Sequence, residues 1–149
     1  MFNRIDLQGK TKPKQGSIES YWFKNENIGL NNTLFHRITI PLEPFDSGLE
    51  YVDQPEETEF VIDWINLHLD DPSKLDNIEI TSQLTKGVEA TIYVGCAHNW
   101  SNIHSLKLKE IEPDKYEIHA TVTVEFKNEG VAQNEKYNFT TTAIYKGMA

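Results

Sequence analysis

The sequence holds one cysteine, Cys96, so no disulfide can form within the chain and no cysteine-rich zinc site can be assembled. No apolar run approaches the ~20 residues that cross a bilayer. Residues 1–16 lack the apolar core of a signal peptide, so a cytoplasmic location and no membrane partner are expected. Positive charge is scarce: 14 Lys and Arg face 23 Asp and Glu, a formal net charge of −9. Such a surface repels phosphate backbones, and nucleic acid is not expected as a partner. Also missing are a phosphate-cradling glycine loop, a nucleophile elbow, a His-Glu-x-x-His pair and a calcium loop. These absences argue against nucleotide-dependent enzymes, zinc hydrolases of that motif and α/β-hydrolases. No cofactor is expected, and whether the protein catalyses anything stays open.

What is present suits one folded unit. A chain of 149 residues has the size of one domain and can bury a sizeable core, to which Trp22, Trp64 and Trp100 contribute large apolar area. Gly9, Lys10, Thr11, Pro13, Lys14 and Gly16 give residues 1–16 the character of a flexible arm. Residues 17–149 are expected to form a single α+β domain, with no internal repeat and no second linker.

Over residues 17–28, Ile18, Tyr21, Trp22 and Ile28 fall near a helical stripe, while Ile18, Ser20 and Trp22 also fit a strand. Leu34, His36, Ile38 and Ile40 alternate with polar residues as one face of a strand ended by Pro41 and Pro44. The spacing of Phe60, Val61, Trp64, Ile65 and Leu69 predicts a helix over residues 55–69, started by a capping box at Asp53 and Glu56 and closed by Asp70, Asp71 and Pro72. Period-two runs follow: Ile78 and Ile80, then Val88, Ala90, Ile92 and Val94, read together as a hairpin. After a loop over residues 95–102 come a strand to Glu112, a turn at Pro113 and Asp114, and the regular alternation of Tyr116, Ile118, Ala120, Val122, Val124 and Phe126. A last strand places Tyr137, Phe139, Thr141, Ala143 and Tyr145 on one face. The expected architecture is a curved antiparallel meander sheet packed on one main helix, with a short N-terminal helix as an option.

Five residues stand out for chemistry. His36 sits among apolar neighbours, where a desolvated imidazole can act as a base or simply be a hydrogen-bonded core residue. His98, Trp100 and His104 cluster where a loop becomes a strand, a common pocket rim, and Trp64 belongs to the predicted helix stripe. Together His36, Trp64, His98, Trp100 and His104 are the candidate ligand-binding residues. His98 and His104 would stand about 20 Å apart on an extended strand, so no metal site is expected from them.

The stretch Ala97, His98, Asn99, Trp100, Ser101, Asn102, Ile103, followed by long alternating strands ending in Thr142, Ala143, Ile144 and Tyr145, resembles the C-terminal half of NTF2-like, SnoaL-like proteins with a cystatin-like fold. The predicted helix at 55–69, preceded by Leu49, Glu50 and Tyr51, resembles the helix before those strands. The resemblance covers residues 50–146, and a hot-dog fold accommodates the same order of elements. It implies a helix-sheet cavity for a small apolar molecule, a homodimer formed through the outer sheet face, and an activity of the cofactor-free isomerase or cyclase kind. No catalytic residue carries over. The alternative, from the charge and the missing motifs, is a non-catalytic acidic interaction module, inhibitor-like or immunity-like, that meets a basic partner.

Overall fold

A computed structural model describes residues 3–149. The described residues form eight strands, joined by turns and by two longer loops over 42–58 and 66–77: β1 (Gly16–Asn25), β2 (Leu30–Pro41), β3 (Glu59–Ile65), β4 (Ile78–Ile80), β5 (Glu89–Val94), β6 (Ala97–Glu112), β7 (Lys115–Val124) and β8 (Glu135–Met148). Hydrogen bonding runs β6-β5-β3-β2-β1-β8-β7 and returns from β7 to β6, closing a seven-stranded barrel. β4 lies on β6 beside the ring, at Leu106 and Leu108, beyond the segment of β6 that pairs β5. All neighbours are antiparallel except β1 and β8, where Ser17 aligns with Ile144. Among the described residues the helix content is one short helix, α1 (Leu7–Lys10), and two 3₁₀ turns at Glu26–Ile28 and Phe126–Glu129.

The expected α+β sheet on a main helix is therefore corrected to a closed β-barrel, and the resemblance to NTF2-like, SnoaL-like proteins and the cystatin-like or hot-dog alternatives fall with it. The helix predicted over residues 55–69 is β3. Phe60, Ile62 and Ile65 point inward and are fully buried. His36 pairs Ile65 and Ile38 pairs Ile62, so Asp63 and Trp64 together oppose Arg37 alone. This is a β-bulge, and the Asp63 carboxylate accepts the Trp64 N–H at 2.7 Å while Trp64 takes a left-handed φ of 57°. The extra residue turns an apolar spacing of two into three, and a bulged strand thereby reproduces a helical stripe. The supposed cap residue Glu56 pairs its backbone with Phe45, and its buried carboxylate accepts the Gly95 N–H.

Residues 17–28, where helix and strand both fitted, fall largely in β1. The hairpin expected between Ile78–Ile80 and Glu89–Val94 does not form: β4 pairs β6, and β5 pairs β3 and β6. The loop expected over 95–102 shrinks to a two-residue turn at Gly95 and Cys96, both with positive φ as a tight hairpin requires, and β6 starts at Ala97. A Cβ at Gly95 would sit 2.8 Å from the Tyr51 hydroxyl and from Val131, so glycine is needed there twice over.

Every second residue of the ring points inward, and the interior is filled by Ile18, Ile38, Ile40, Phe60, Ile62, Ile92, Leu106, Ile118, Val122, Tyr137 and their neighbours. Phe60, Tyr137 and Phe139 stack on one another with centroids 5.4–5.9 Å apart. Both mouths are covered. At one, the N-terminal segment crosses the barrel end with Ile5 and Leu7 buried. It lies within the stretch whose composition suits an arm. Glu135, itself buried, accepts the backbone N–H groups of Asp6 and Leu7 at 3.0 and 2.7 Å. At the other mouth the 66–77 loop inserts Leu75, 1% exposed.

Glu135 supplies two charge-assisted hydrogen bonds to a buried turn. Replacing it with Ala should lower stability by about 2–3 kcal/mol. In hydrogen exchange, the amides of residues 6–11 should lose protection before the strands do. A variant in which these amides stay as protected as in the parent would contradict this role for Glu135.

Candidate functional site

Because a strand's side chains alternate, the residues not used for the core form ordered rows on the barrel's outside. Across β1, β2 and β3 one row reads Glu19, Arg37, Asp63; a second reads Ser17, Thr39, Val61 and continues through Thr91 of β5 to Trp100 of β6. In a third row Pro41 pairs Glu59, and Tyr93 pairs His98 across the β5–β6 hairpin. The pairing of Phe60 with Ile92 places Glu59 beside Tyr93 in that same row.

The β1–β3 part of this face is self-contained. Tyr21 and Phe35 stack at 5.9 Å, and Trp64 meets Tyr21, Phe23 and Phe35 edge-on at 5.0–5.9 Å. The Arg37 guanidinium lies 4.9 Å from the centre of the Tyr21 ring. Its Nε donates to Asp63 at 3.0 Å and its Nη1 to Glu19 at 2.7 Å. The Tyr21 hydroxyl donates to Asp63 at 2.6 Å, and burial together with that carboxylate holds the phenol far above its ordinary range. One arginine thus satisfies two carboxylates and caps an aromatic ring.

The β3–β5–β6 part is open. A groove of about 670 Å³ runs between the strands and the loop that follows β2, lined by Pro41, Pro44, Glu57, Glu59, Tyr93 and His98 among others. Tyr93 leans on His98 with ring centroids 4.7 Å apart, yet remains 48% exposed. Trp100, next along β6, is 44% exposed. Two large rings are thus left in water on adjacent strands.

The five candidate residues are not brought into one cavity. His98, Trp100 and His104 share the outer side of β6, where the His104 imidazole bonds the Thr123 hydroxyl at 2.7 Å. Trp64 is outside as well, in the Arg37 cluster. His36 is inside, 2% exposed, near the mouth closed by the 66–77 loop. Its Nε2 lies 2.8 Å from the Pro72 carbonyl, which can only accept, so Nε2 carries the proton and Nδ1 is a bare acceptor. Nδ1 is buried without a partner among the described residues. Ser20, opposite His36 on β1, bonds the Tyr145 hydroxyl at 2.6 Å instead. No three His, Cys, Asp or Glu side chains converge as metal ligands among the described residues, and no helix there is long and apolar enough to cross a membrane.

The feature missed at the level of sequence is the loop beside the groove. From Ile38 to Ser73 the chain has no Lys or Arg, while Glu43, Asp46, Glu50, Asp53, Glu57 and Glu59 fall there and are all exposed. Net charge alone hides this segregation. A count by segment reveals it. Comparison with protein-family models, with curated proteins and with solved structures gives no match.

Burial lowers the His36 pKa below its ordinary 6.5. The native state keeps the ring neutral while the unfolded chain takes up a proton, so the stabilising difference is full above pH 6.5 and is lost as pH falls towards the native pKa. In melts at pH 7 and pH 5, the parent should lose more Tm than a His36→Gln variant, which cannot titrate. Parallel loss in both proteins would remove His36 as the source of acid sensitivity.

Proposed function

We propose that this chain is a non-catalytic interaction module that presents an acidic, aromatic-studded face to a basic protein. The observation that carries the reading is the run of exposed carboxylates along one loop, which outnumber the lysines that the N-terminal segment lays beside it, where the Lys12 carbonyl accepts the Glu43 N–H and Lys10 lies near Gly48. Exposed carboxylates without a neighbouring cation in sequence occupy the loop from Glu43 to Glu59, and Glu57 and Glu59 share a groove with the exposed ring of Tyr93. Large rings anchor protein interfaces, and a rim with an excess of one sign speeds encounter with a partner of opposite sign. The filled interior favours a role for the outside over an enclosed ligand. An exposed free thiol at Cys96 suits a reducing compartment, and the cytoplasm is part of this proposal.

The partner is sought by placing a photo-crosslinking residue at Trp100 and, as a control, at Lys136 on β8, in extract of the source cell. A basic protein should be captured from Trp100 and not from Lys136. Its association rate should fall about tenfold or more on reversing Glu43, Asp46, Glu50 and Asp53 to Lys, and fall with added salt. Capture of only a second copy of this chain, or equal capture from both positions, would count against the reading.

A further inference from the structure

The face contains the same chemical arrangement twice, and the chain completes only one of them. At the first, an aromatic ring, Tyr21, and two carboxylates, Glu19 and Asp63, hold the guanidinium of Arg37. At the second, the ring of Tyr93 stands beside Glu59 in the groove that Glu57 also lines. Among the described residues neither Glu57 nor Glu59 has a Lys, Arg or His nitrogen within 4.0 Å. Lys14 is the one Lys or Arg lining this groove, and it is exposed on a flexible stem that can swing to solvent.

We infer that the groove takes an arginine side chain from the partner, with the guanidinium laid on Tyr93 and hydrogen-bonded to Glu57 and Glu59. This deepens the acidic-module reading and rests on it. Arginine fits better than lysine for reasons already visible at Arg37. A planar guanidinium stacks on a ring and donates in two directions at once, whereas an ammonium is a compact, strongly hydrated point charge. The apolar wall formed by Pro41, Leu42, Pro44 and Val61 suits the arginine stem. Arg37 itself cannot serve this second place, because both of its carboxylate partners lie in its own row.

The test needs no knowledge of the partner. The full chain, labelled with nitrogen-15, is titrated with a short peptide of alternating Gly and Arg, with its Gly-Lys counterpart and with a Gly-citrulline counterpart. The arginine peptide should bind about fivefold tighter than the lysine peptide. The citrulline peptide should not bind. Amide shifts should concentrate at Glu57, Glu59, Thr91, Tyr93 and His98, and Tyr93→Ala or the Glu57→Gln, Glu59→Gln pair should bring the arginine peptide down to the lysine level. Both substitutions are on the surface and leave the core intact. Equal binding of the two cationic peptides, with shifts spread over Glu43, Asp46, Glu50 and Asp53, would overturn the arginine site and leave the acidic module standing. If neither cationic peptide binds even at low salt, both are overturned.

Discussion

Closure of the sheet is the constraint on which the rest depends. When β7 pairs with β6 and the parallel contact joins β1 to β8, the ring has no free edge, and between bulges each residue is assigned to inside or outside by its parity along the strand. Seven strands enclose a space that side chains can fill, and here aromatic and branched residues fill it. The mouths are closed with backbone carbonyls and carboxylates already committed: Glu135 to the turn at Asp6 and Leu7, the Pro72 carbonyl to His36, and the Ser73 carbonyl to the hydroxyl of Tyr116. Recognition then falls to the outer rows and the loops beside them.

The polar groups inside belong to the same logic. Asn99 faces inward at the start of β6, and its amide nitrogen lies within 2.9–3.2 Å of the carbonyls of Ile92, Val94 and Ala97. Those carbonyls sit at the tight end of the β5–β6 hairpin, where the turn leaves the ladder short of donors. Although its Oδ1 is buried without a partner among the described residues, the amide nitrogen of Asn99 ties the hairpin to one geometry and with it the outward direction of His98 and Trp100. The exposed rings are thus presented by a buried polar residue between them in sequence.

Much of the strand content could be read from alternation alone. Tyr116 to Val124 and Tyr137 to Tyr145 keep a strict period of two because they are long, regular and half-buried, and their inward residues are those the pattern names. The reading failed where geometry breaks that period. At Asp63 and Trp64 one inserted residue converts strand spacing into helix spacing, although the run Phe60, Val61, Ile62, Trp64, Ile65 is rich in branched and aromatic residues that favour strands. A helix at this position would require a sheet packed on it and would leave room for a cavity between them; a bulged strand requires neither. At His98 and Trp100 residue type marks the positions but not their side of the sheet, which the turn at Gly95 and Cys96 sets. The acidic loop escaped because total charge carries no information about position.

The two halves of the outer face differ in one respect that the shared fold makes meaningful. Both combine an exposed or half-exposed tyrosine with carboxylates on neighbouring strands of the same sheet. In the β1–β3 half, Arg37 comes from the central strand and lies between Glu19 and Asp63, so attraction is satisfied locally and the aromatic rings close over one another. In the β3–β5 half the position corresponding to that cation is a groove. Exposed carboxylates gain little from isolated pairing in water, but a guanidinium held against a ring and shielded by proline and leucine loses part of its competing hydration. The difference between a cluster that stabilises the sheet and one that receives a partner then lies in which molecule brings the arginine.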